Sequence, residues 1–355
     1  MPDLSPFSAP AQGAADGLEA TAWQRALREA IRRPAELLDF LGLDTGSVAG
    51  FEPAADEFPL LVPRGFAARM RKGDPRDPLL LQVLPQSPER LEVPGFGPDP
   101  LRETALARHG VLKKYAGRVL LVATEACPVH CRYCFRRHFP YAEQRAGADR
   151  RRSALAGLQT SGPVTEVILS GGDPLSLSNR RLAEWITGIE ALESVEILRV
   201  HTRFPIVLPE RVDGPLLELL SQTRLKTVVV VHCNHANEID AAVRGALRDL
   251  RAAGAQLLNQ SVLLSGVNDT VDRLEALSRV LFDAGVLPYY LHLLDPVAGA
   301  AHFDVEESRA RELFAGLQCR LPGYLLPRLV REIPGQSSKT LVAAGPGAQS
   351  GSGRK

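Results

Sequence analysis

Three cysteines stand close together in the sequence, Cys127, Cys131 and Cys134, with the spacing C-x3-C-x2-C. Three thiolates from one loop can bind three irons of a 4Fe–4S cluster and leave the fourth iron open, whereas clusters that only transfer electrons usually have four cysteines. An open metal position indicates a site where another molecule binds, as in catalytic zinc sites. The alternatives are chance clustering of the cysteines and a structural zinc site, for which His130 and His138 are the nearest candidates for additional ligands.

Two further segments carry residues that could do chemistry. Ser170-Gly171-Gly172-Asp173 offers glycines that would let the backbone approach a ligand and a carboxylate that could receive an ammonium group, but an ordinary tight turn has the same composition. Lys339 lies in a loop rich in glycine and serine. It is either a surface lysine or an amine that binds the aldehyde of pyridoxal phosphate (PLP) covalently.

The composition argues against several classes of function. The 355 residues contain 42 Lys and Arg against 41 Asp and Glu, so bulk charge gives no basis for binding nucleic acid or an anionic membrane. No apolar run approaches the ~20 residues that span a bilayer, and the first residues do not read as a secretory signal. Cys233 and Cys319 stand alone, which does not fit a disulfide framework and predicts a cytoplasmic protein.

Short apolar runs alternate with helical patterns from about residue 105 onward. The predicted strands are 118–123, 166–170, 195–201, 227–232, 256–263 and 287–293. The predicted helices between them are 152–158, 179–192, 215–223, 238–253 and 272–285. This alternation predicts an α/β fold with a parallel sheet, and having six units instead of eight predicts a partial (β/α)6 TIM-like barrel. Right-handed connections would place every carboxyl end of a strand on one rim, where the polar residues after the strands should meet.

The rest of the chain is predicted to support this unit. Residues 1–104 form an N-terminal extension of helices and an irregular packing segment, and residues 105–342 form the catalytic domain. Residues 1–18, rich in Pro, Ala, Gly and Ser, and the tail 343–355 are predicted to be disordered.

Taken together, these features resemble the lysine 2,3-aminomutase family of PLP-dependent radical S-adenosylmethionine (SAM) enzymes, over roughly residues 95 to 342. The motifs that carry the resemblance are Cys127-x3-Cys131-x2-Cys134-Phe135-Arg136-Arg137, Ser170-Gly171-Gly172-Asp173-Pro174-Leu175, His232-x-Asn234-His235, Asn259-Gln260-Ser261 and Pro334-Gly335-x-x-x-Lys339-Thr340. The short chain and Arg331-Glu332-Ile333 resemble the bacterial branch associated with modification of elongation factor P.

The resemblance implies a cytoplasmic isomerase that converts (S)-α-lysine to (R)-β-lysine, using a 4Fe–4S cluster, SAM and PLP. A separate ligase would then attach the β-lysine to elongation factor P. The implied electron donor is of the flavodoxin or ferredoxin type, and neither nucleic acid nor membrane is implied as a partner.

The resemblance also implies a role for each matching residue. The cluster is implied to be held by Cys127, Cys131 and Cys134, and SAM by Ser170, Gly171, Gly172, Asp173, His201 and Gln260. PLP is implied to bind covalently to Lys339 and to contact Lys114, Tyr115 and Arg118. The substrate is implied to place its carboxylate on Arg136 and its distal ammonium on Asp295 and Glu332.

This sequence departs from the clostridial pattern of the family in three ways. Lys114 stands in place of Arg and Glu332 in place of Asp, which changes the reach of both side chains. The cysteine cluster that binds zinc near the C-terminus of clostridial enzymes has no counterpart, so no structural zinc is expected.

Two other functions remain open from the residues. One is a radical SAM enzyme that acts on RNA or on another amino acid; an RNA enzyme would need a basic face and would have no use for Lys339. The other is a non-catalytic iron–sulfur binding protein, which would not cleave SAM.

Overall fold

A computed structural model of the chain describes residues 20–48, 50–51, 58–106, 110–139, 148–159 and 162–342. The segments predicted to be disordered, 1–18 and 343–355, lie outside the described residues. Among the helices that are described, none combines the length and the apolar character needed to cross a bilayer.

The described strands form a single sheet in which neighbouring strands follow one another in sequence order. They are β1 (Val111–Tyr115), β2 (Arg118–Thr124), β3 (Glu166–Gly171), β4 (Ile197–Thr202), β5 (Lys226–His232), β6 (Gln256–Val262), β7 (Leu287–His292), β8 (Arg328–Arg331) and β9 (Thr340–Leu341). The strands from β2 to β8 are parallel, while β1 and β9 pair antiparallel at the two edges. Because each parallel pair needs a crossover, the carboxyl ends of these strands lie on one rim.

Helices connect the parallel strands and also precede the sheet. The described helices are α1 (Ala22–Arg28), α2 (Pro34–Leu41), α3 (Arg64–Ala67), α4 (Pro78–Leu81), α5 (Glu103–Leu106), α6 (Ala148–Gln159), α7 (Asn179–Glu190), α8 (Phe204–Val207), α9 (Gly214–Gln222), α10 (Ala241–Ala252), α11 (Val271–Asp283) and α12 (Glu307–Gln318). Helix α10 illustrates why they form: Asp240 caps its first turn, and Val243, Leu247 and Leu250 bury one face against the sheet core.

The predicted α/β fold class is confirmed, and all six predicted parallel strands are present. The structure adds one further unit, α12 followed by the parallel strand β8. The sequence pattern did not reveal β8 because only Leu329 and Val330 of its four residues are buried, and an exposed arginine stands at each end. The parallel part of the sheet therefore has one strand and one helix more than predicted, and β1 and β9 add an unpredicted antiparallel strand at each edge.

The N-terminal helices share the main hydrophobic core with the sheet. Trp23 and Leu27 of α1 and Leu37 of α2 belong to the same buried cluster as residues of the parallel strands. The Trp23 ring also meets Phe204 edge to face, with ring centroids 5.8 Å apart. This packing holds the N-terminal helices against the sheet; the predicted boundary at residue 104 stays a prediction.

Two glycines set the distance between the end of β3 and the segment that leads to the first cysteine. A Cβ atom on Gly171 would lie 2.5 Å from the Thr124 carbonyl oxygen, and one on Gly172 would lie 2.5 Å from the carbonyl oxygens of Glu125 and Ala126. The Gly172 amide donates to the Thr124 carbonyl at 2.7 Å. The sequence predicts that Gly171 and Gly172 let a ligand approach the backbone. In the structure they let the backbone of Thr124 to Ala126 pack closely against the end of β3.

We expect Gly172→Ala to lower the free energy of unfolding by about 1–3 kcal/mol, the usual cost of overpacking, since carbonyl groups cannot rotate away from an added methyl group. Thermal or urea melting of the purified protein measures the change. The matched control is Gly245→Ala inside α10, where the added Cβ meets nothing closer than Arg248 Nη2 at 3.9 Å. This control should stabilise the protein by about 0.5–1 kcal/mol. A Gly172→Ala protein that melts like the unaltered protein would contradict the packing described here.

Candidate active site

The sheet curves around one cavity of about 470 Å3. Every strand from β1 to β9 contributes at least one residue to its wall, and the cysteine loop after β2 also lines it. A volume of this size is typical of sites for small molecules and cofactors.

The predicted site residues converge on this cavity. All of those whose side chains the structure describes line its wall: Tyr115, Arg118, Cys127, Cys131, Cys134, Arg136, Ser170, Gly171, Gly172, Asp173, His201, Gln260, Asp295, Glu332 and Lys339. Lys114 lies in β1, and its side chain is outside the described part of the structure. Because these residues span more than two hundred positions of the chain, their convergence comes from the fold.

The three cysteines are free thiols on a loop held by the N-terminal segment. The His130 amide donates to the Leu61 carbonyl at 3.0 Å, and the Arg132 amide donates to the Gln82 carbonyl at 2.8 Å. Burial, followed by the Cys134 thiol, raises the pKa of Cys127 well above its usual range. Burial likewise raises the pKa of Cys134 to about 11, so both thiols hold protons that a bound metal would displace.

The three cysteines suit an iron–sulfur cluster because their thiols can bind iron and because all three line the same cavity. Each cysteine of such a cluster binds a different iron, so the three sulfurs do not need to converge on one point. Within the described ranges, no three His, Cys, Asp or Glu side chains come close enough together to hold a single metal ion.

Asp173, at the carboxyl end of β3, is buried and held by several donors. Its carboxylate accepts hydrogen bonds from Thr202 Oγ1 at 2.8 Å, from the Arg203 amide at 2.6 Å and from the Leu175 amide at 3.0 Å. Burial raises the pKa of Asp173 to about 6 against the opposing effect of these donors. The carboxylate therefore connects the end of β3 with the end of β4. Its predicted contact with SAM stays a prediction.

Arg136 has a carboxylate partner that the sequence did not reveal. Its Nε donates to Glu103 Oε2 at 2.7 Å and its Nη2 donates to Glu103 Oε1 at 3.2 Å. This is the bidentate geometry that guanidinium groups form with carboxylates. Its Nη1 donates to Ser170 Oγ at 3.1 Å and to the Gly171 carbonyl at 3.0 Å. Glu103 and Arg136 are both buried, so a substrate carboxylate at Arg136 would share or replace this pair.

Lys339 and Glu332 form an ion pair beside strands β8 and β9, and both residues line the cavity. Lys339 Nζ contacts Glu332 Oε2 and lies 5.7 Å from the centre of the Tyr290 ring. The other oxygen, Glu332 Oε1, accepts a hydrogen bond from Tyr115 Oη at 3.3 Å. Burial, followed by the Glu332 charge, raises the pKa of Tyr115, and the Arg118 guanidinium lies 5.0 Å from its ring centre. The lysine thus lines the cavity with 22% of its side chain exposed, and its predicted bond to PLP stays a prediction.

Three histidines at strand ends add uncharged polar groups to the wall. Burial lowers the pKa of His201 and of His232 well below the usual value, and burial with the Lys339 charge lowers the pKa of His292 to about 3. His232 Nε2 lies 3.0 Å from Tyr133 Oη. All three rings are therefore neutral at pH 7, which the sequence could not indicate.

Comparison with known proteins finds relatives that align with most of this chain. No family model matches the chain. The L-lysine 2,3-aminomutase of Escherichia coli K12 is 46% identical over 320 residues, which cover 90% of this chain and 93% of that protein. The L-lysine 2,3-aminomutase of Haemophilus influenzae is 44% identical over 90% of this chain and 95% of that protein. The enzyme of the same name from Clostridium subterminale is 32% identical over 90% of this chain and 77% of that protein.

A solved structure gives a more distant likeness. A radical SAM methyltransferase from Sphaerobacter thermophilus is 19% identical, with a TM-score of 0.38 over 51% of this chain and 55% of that chain. The sequence relatives match much more of the chain, 90% in each of the three cases. This chain belongs to the lysine 2,3-aminomutase family.

Proposed function

We propose that this protein is a lysine 2,3-aminomutase that isomerises (S)-α-lysine to (R)-β-lysine. The reaction moves the amino group from Cα to Cβ and a hydrogen atom from Cβ to Cα, so substrate and product have the same oxidation level. The observation that carries the proposal is the meeting of the cysteine loop, the Ser-Gly-Gly-Asp segment and Lys339 in one cavity of about 470 Å3.

The residues of the cavity suit the three cofactors that this reaction needs, a 4Fe–4S cluster, SAM and PLP. Three free cysteines are available for the cluster, the Lys339 amine for the PLP aldehyde, and the Arg118 guanidinium for the PLP phosphate. When bound, the cluster and SAM supply a carbon-centred radical that removes a hydrogen atom from Cβ, and PLP supplies the π system through which the amino nitrogen migrates. We assign SAM to Ser170–Asp173, His201 and Gln260, and the surroundings of PLP to Lys114, Tyr115 and Arg118.

The charges of the cavity suit a dibasic amino acid. Arg136 offers a guanidinium for the α-carboxylate, with Glu103 and Ser170 holding its orientation. Asp295 and Glu332 offer carboxylates for the distal ammonium. The Lys339 ammonium, which pairs with Glu332, supports this role because it is the same chemical group as the end of a lysine substrate.

We further propose that the product serves the modification of elongation factor P in the cytoplasm, where a separate ligase attaches β-lysine. What supports this is the resemblance of the chain to the short bacterial branch of the family, with which its length agrees: the chain spans 93% of the Escherichia coli enzyme and 95% of the Haemophilus influenzae enzyme, but 77% of the clostridial one. An electron carrier of the flavodoxin or ferredoxin type is the proposed reductant.

Anaerobic protein supplied with lysine, SAM, PLP and dithionite is expected to form β-lysine, detected by chromatography against an authentic standard. Lys339→Ala should abolish this product and the PLP that borohydride fixes to the chain, while iron content stays unchanged, because the cysteines do not depend on Lys339. The matched control is Lys226→Ala, at the exposed start of β5. Covalent PLP in the Lys339→Ala protein would refute the assignment of the lysine.

Asp295→Asn is expected to raise the KM for lysine about 10- to 100-fold, which corresponds to the roughly 1.5–3 kcal/mol of a hydrogen bond to a charged group. An amide cannot neutralise the distal ammonium, so lysine binding should suffer and the Kd for SAM should not. Asp283→Asn, at the exposed end of α11, is the control. Equal losses in lysine and SAM binding would remove Asp295 from the substrate site.

Deletion of the gene in its host should leave elongation factor P without its β-lysyl group, as measured by intact-protein mass spectrometry. Supplying β-lysine in the medium should restore the mass, because only the isomerisation is missing. An unchanged mass after deletion would separate this enzyme from the modification while leaving its activity on lysine untouched.

A further inference from the structure

Arg203, the residue after β4, lies beneath the cysteine loop with its side chain buried. Its Nη1 donates to Cys131 Sγ at 2.7 Å and to Tyr133 Oη at 2.7 Å. A guanidinium in direct contact with a cysteine sulfur brings a permanent positive charge to one ligand of the proposed cluster. Neither the motifs of the sequence nor the roles assigned above include this residue.

The guanidinium is fixed from its other side. Arg203 Nη2 donates to Gln82 Oε1 at 2.7 Å and to Glu238 Oε2 at 3.0 Å. Glu238 is fully buried, and its Oε1 accepts from the amides of Asn234 at 2.9 Å and His235 at 3.0 Å. Because Glu238 is bound on the Nη2 side, the positive end of the ion pair faces the sulfur.

The backbone of Arg203 contacts a second part of the site. Its amide donates to Asp173 Oδ2 at 2.6 Å, so one residue connects the cysteine loop with the Ser-Gly-Gly-Asp segment. Three other buried arginines lie in or next to the cysteine loop and also pair with carboxylates: Arg132 and Arg137 with Glu89, and Arg136 with Glu103. Arg203 pairs with Glu238 and in addition contacts Cys131 Sγ.

We propose that Arg203 is a positioning residue of the cluster that raises its reduction potential. This rests on the proposed function, because it requires the three cysteines to hold a 4Fe–4S cluster. Going from the 2+ to the 1+ state adds one electron, supplied by a carrier of the ferredoxin or flavodoxin class, and breaks no bond. A fixed cation and an N–H donor at Cys131 Sγ stabilise that added negative charge, and hydrogen bonds to cluster sulfurs are a known determinant of potential.

The test is a redox titration of the anaerobically reconstituted protein with dithionite and mediators in the absence of SAM. Electron paramagnetic resonance measures the fraction of reduced cluster at each potential. Arg203→Met removes both charge and donor, and should lower the ratio of reduced to oxidised cluster at a fixed potential about tenfold, which is about 59 mV for one electron. Arg203→Lys keeps the charge and should recover most of the shift. Arg203→Gln keeps only a neutral donor and should lie between Met and Lys.

The control is the substitution Arg211→Lys, which should leave the potential unchanged. Arg211 is a fully buried arginine that donates to the Leu175 carbonyl at 2.7 Å.

Arg203→Met protein with a full complement of iron and the unaltered potential overturns the proposal. If the Met variant does not hold a cluster, equal potentials for the Gln and Lys variants overturn it, and a more negative potential for Gln supports it. Loss of the cluster from Arg203→Lys protein that melts normally would show a purely structural role. Failure of the unaltered protein to assemble a cluster would refute the proposed function itself.

Discussion

The close approach of two backbone segments fixes the geometry on which the rest of the cavity depends. The end of β3 packs against the chain between β2 and Cys127, and Gly172 and Asp173 donate backbone hydrogen bonds to Thr124 and Ala126 at 2.7 and 2.8 Å. These bonds extend the β2–β3 pairing past the last regular strand residues. The start of the loop that carries the three cysteines is thereby hydrogen-bonded to the sheet, which holds the loop in place.

Three ion pairs accompany this rigid wall: Arg136 with Glu103, Lys339 with Glu332, and Arg203 with Glu238. Removing water from charges is costly, so largely buried charges are stable only when paired and hydrogen-bonded. A charged ligand that binds beside one of these pairs must therefore share or replace one of its partners. On the proposed function, Lys339 would hold PLP and Glu332 would accept the distal ammonium of a lysine substrate, so the contact between Lys339 and Glu332 would be replaced by one to the substrate.

Local patterns in the sequence predicted much of the fold, and tertiary contacts decided the rest. The six predicted strands were visible because each is an apolar run, whereas β8 presents only Leu329 and Val330 to the core and gives no such run. The cysteine spacing is local and was read directly. Glu103 and Arg136 are 33 residues apart, and Glu238 lies 35 residues after Arg203, so no local pattern could indicate either pair.

The glycines show a subtler reason why chemistry is hard to read from sequence. Gly171 and Gly172 have the composition of a ligand-binding turn, yet the space that their missing side chains leave is filled by the backbone of Thr124 to Ala126. Absence of a side chain indicates a close approach without saying what approaches. Here the approach places Asp173 against β4, where the Arg203 amide meets its carboxylate. Since the side chain of that same arginine reaches Cys131, the packing of the glycines and the electrostatics of the cysteines are consequences of one arrangement of the backbone.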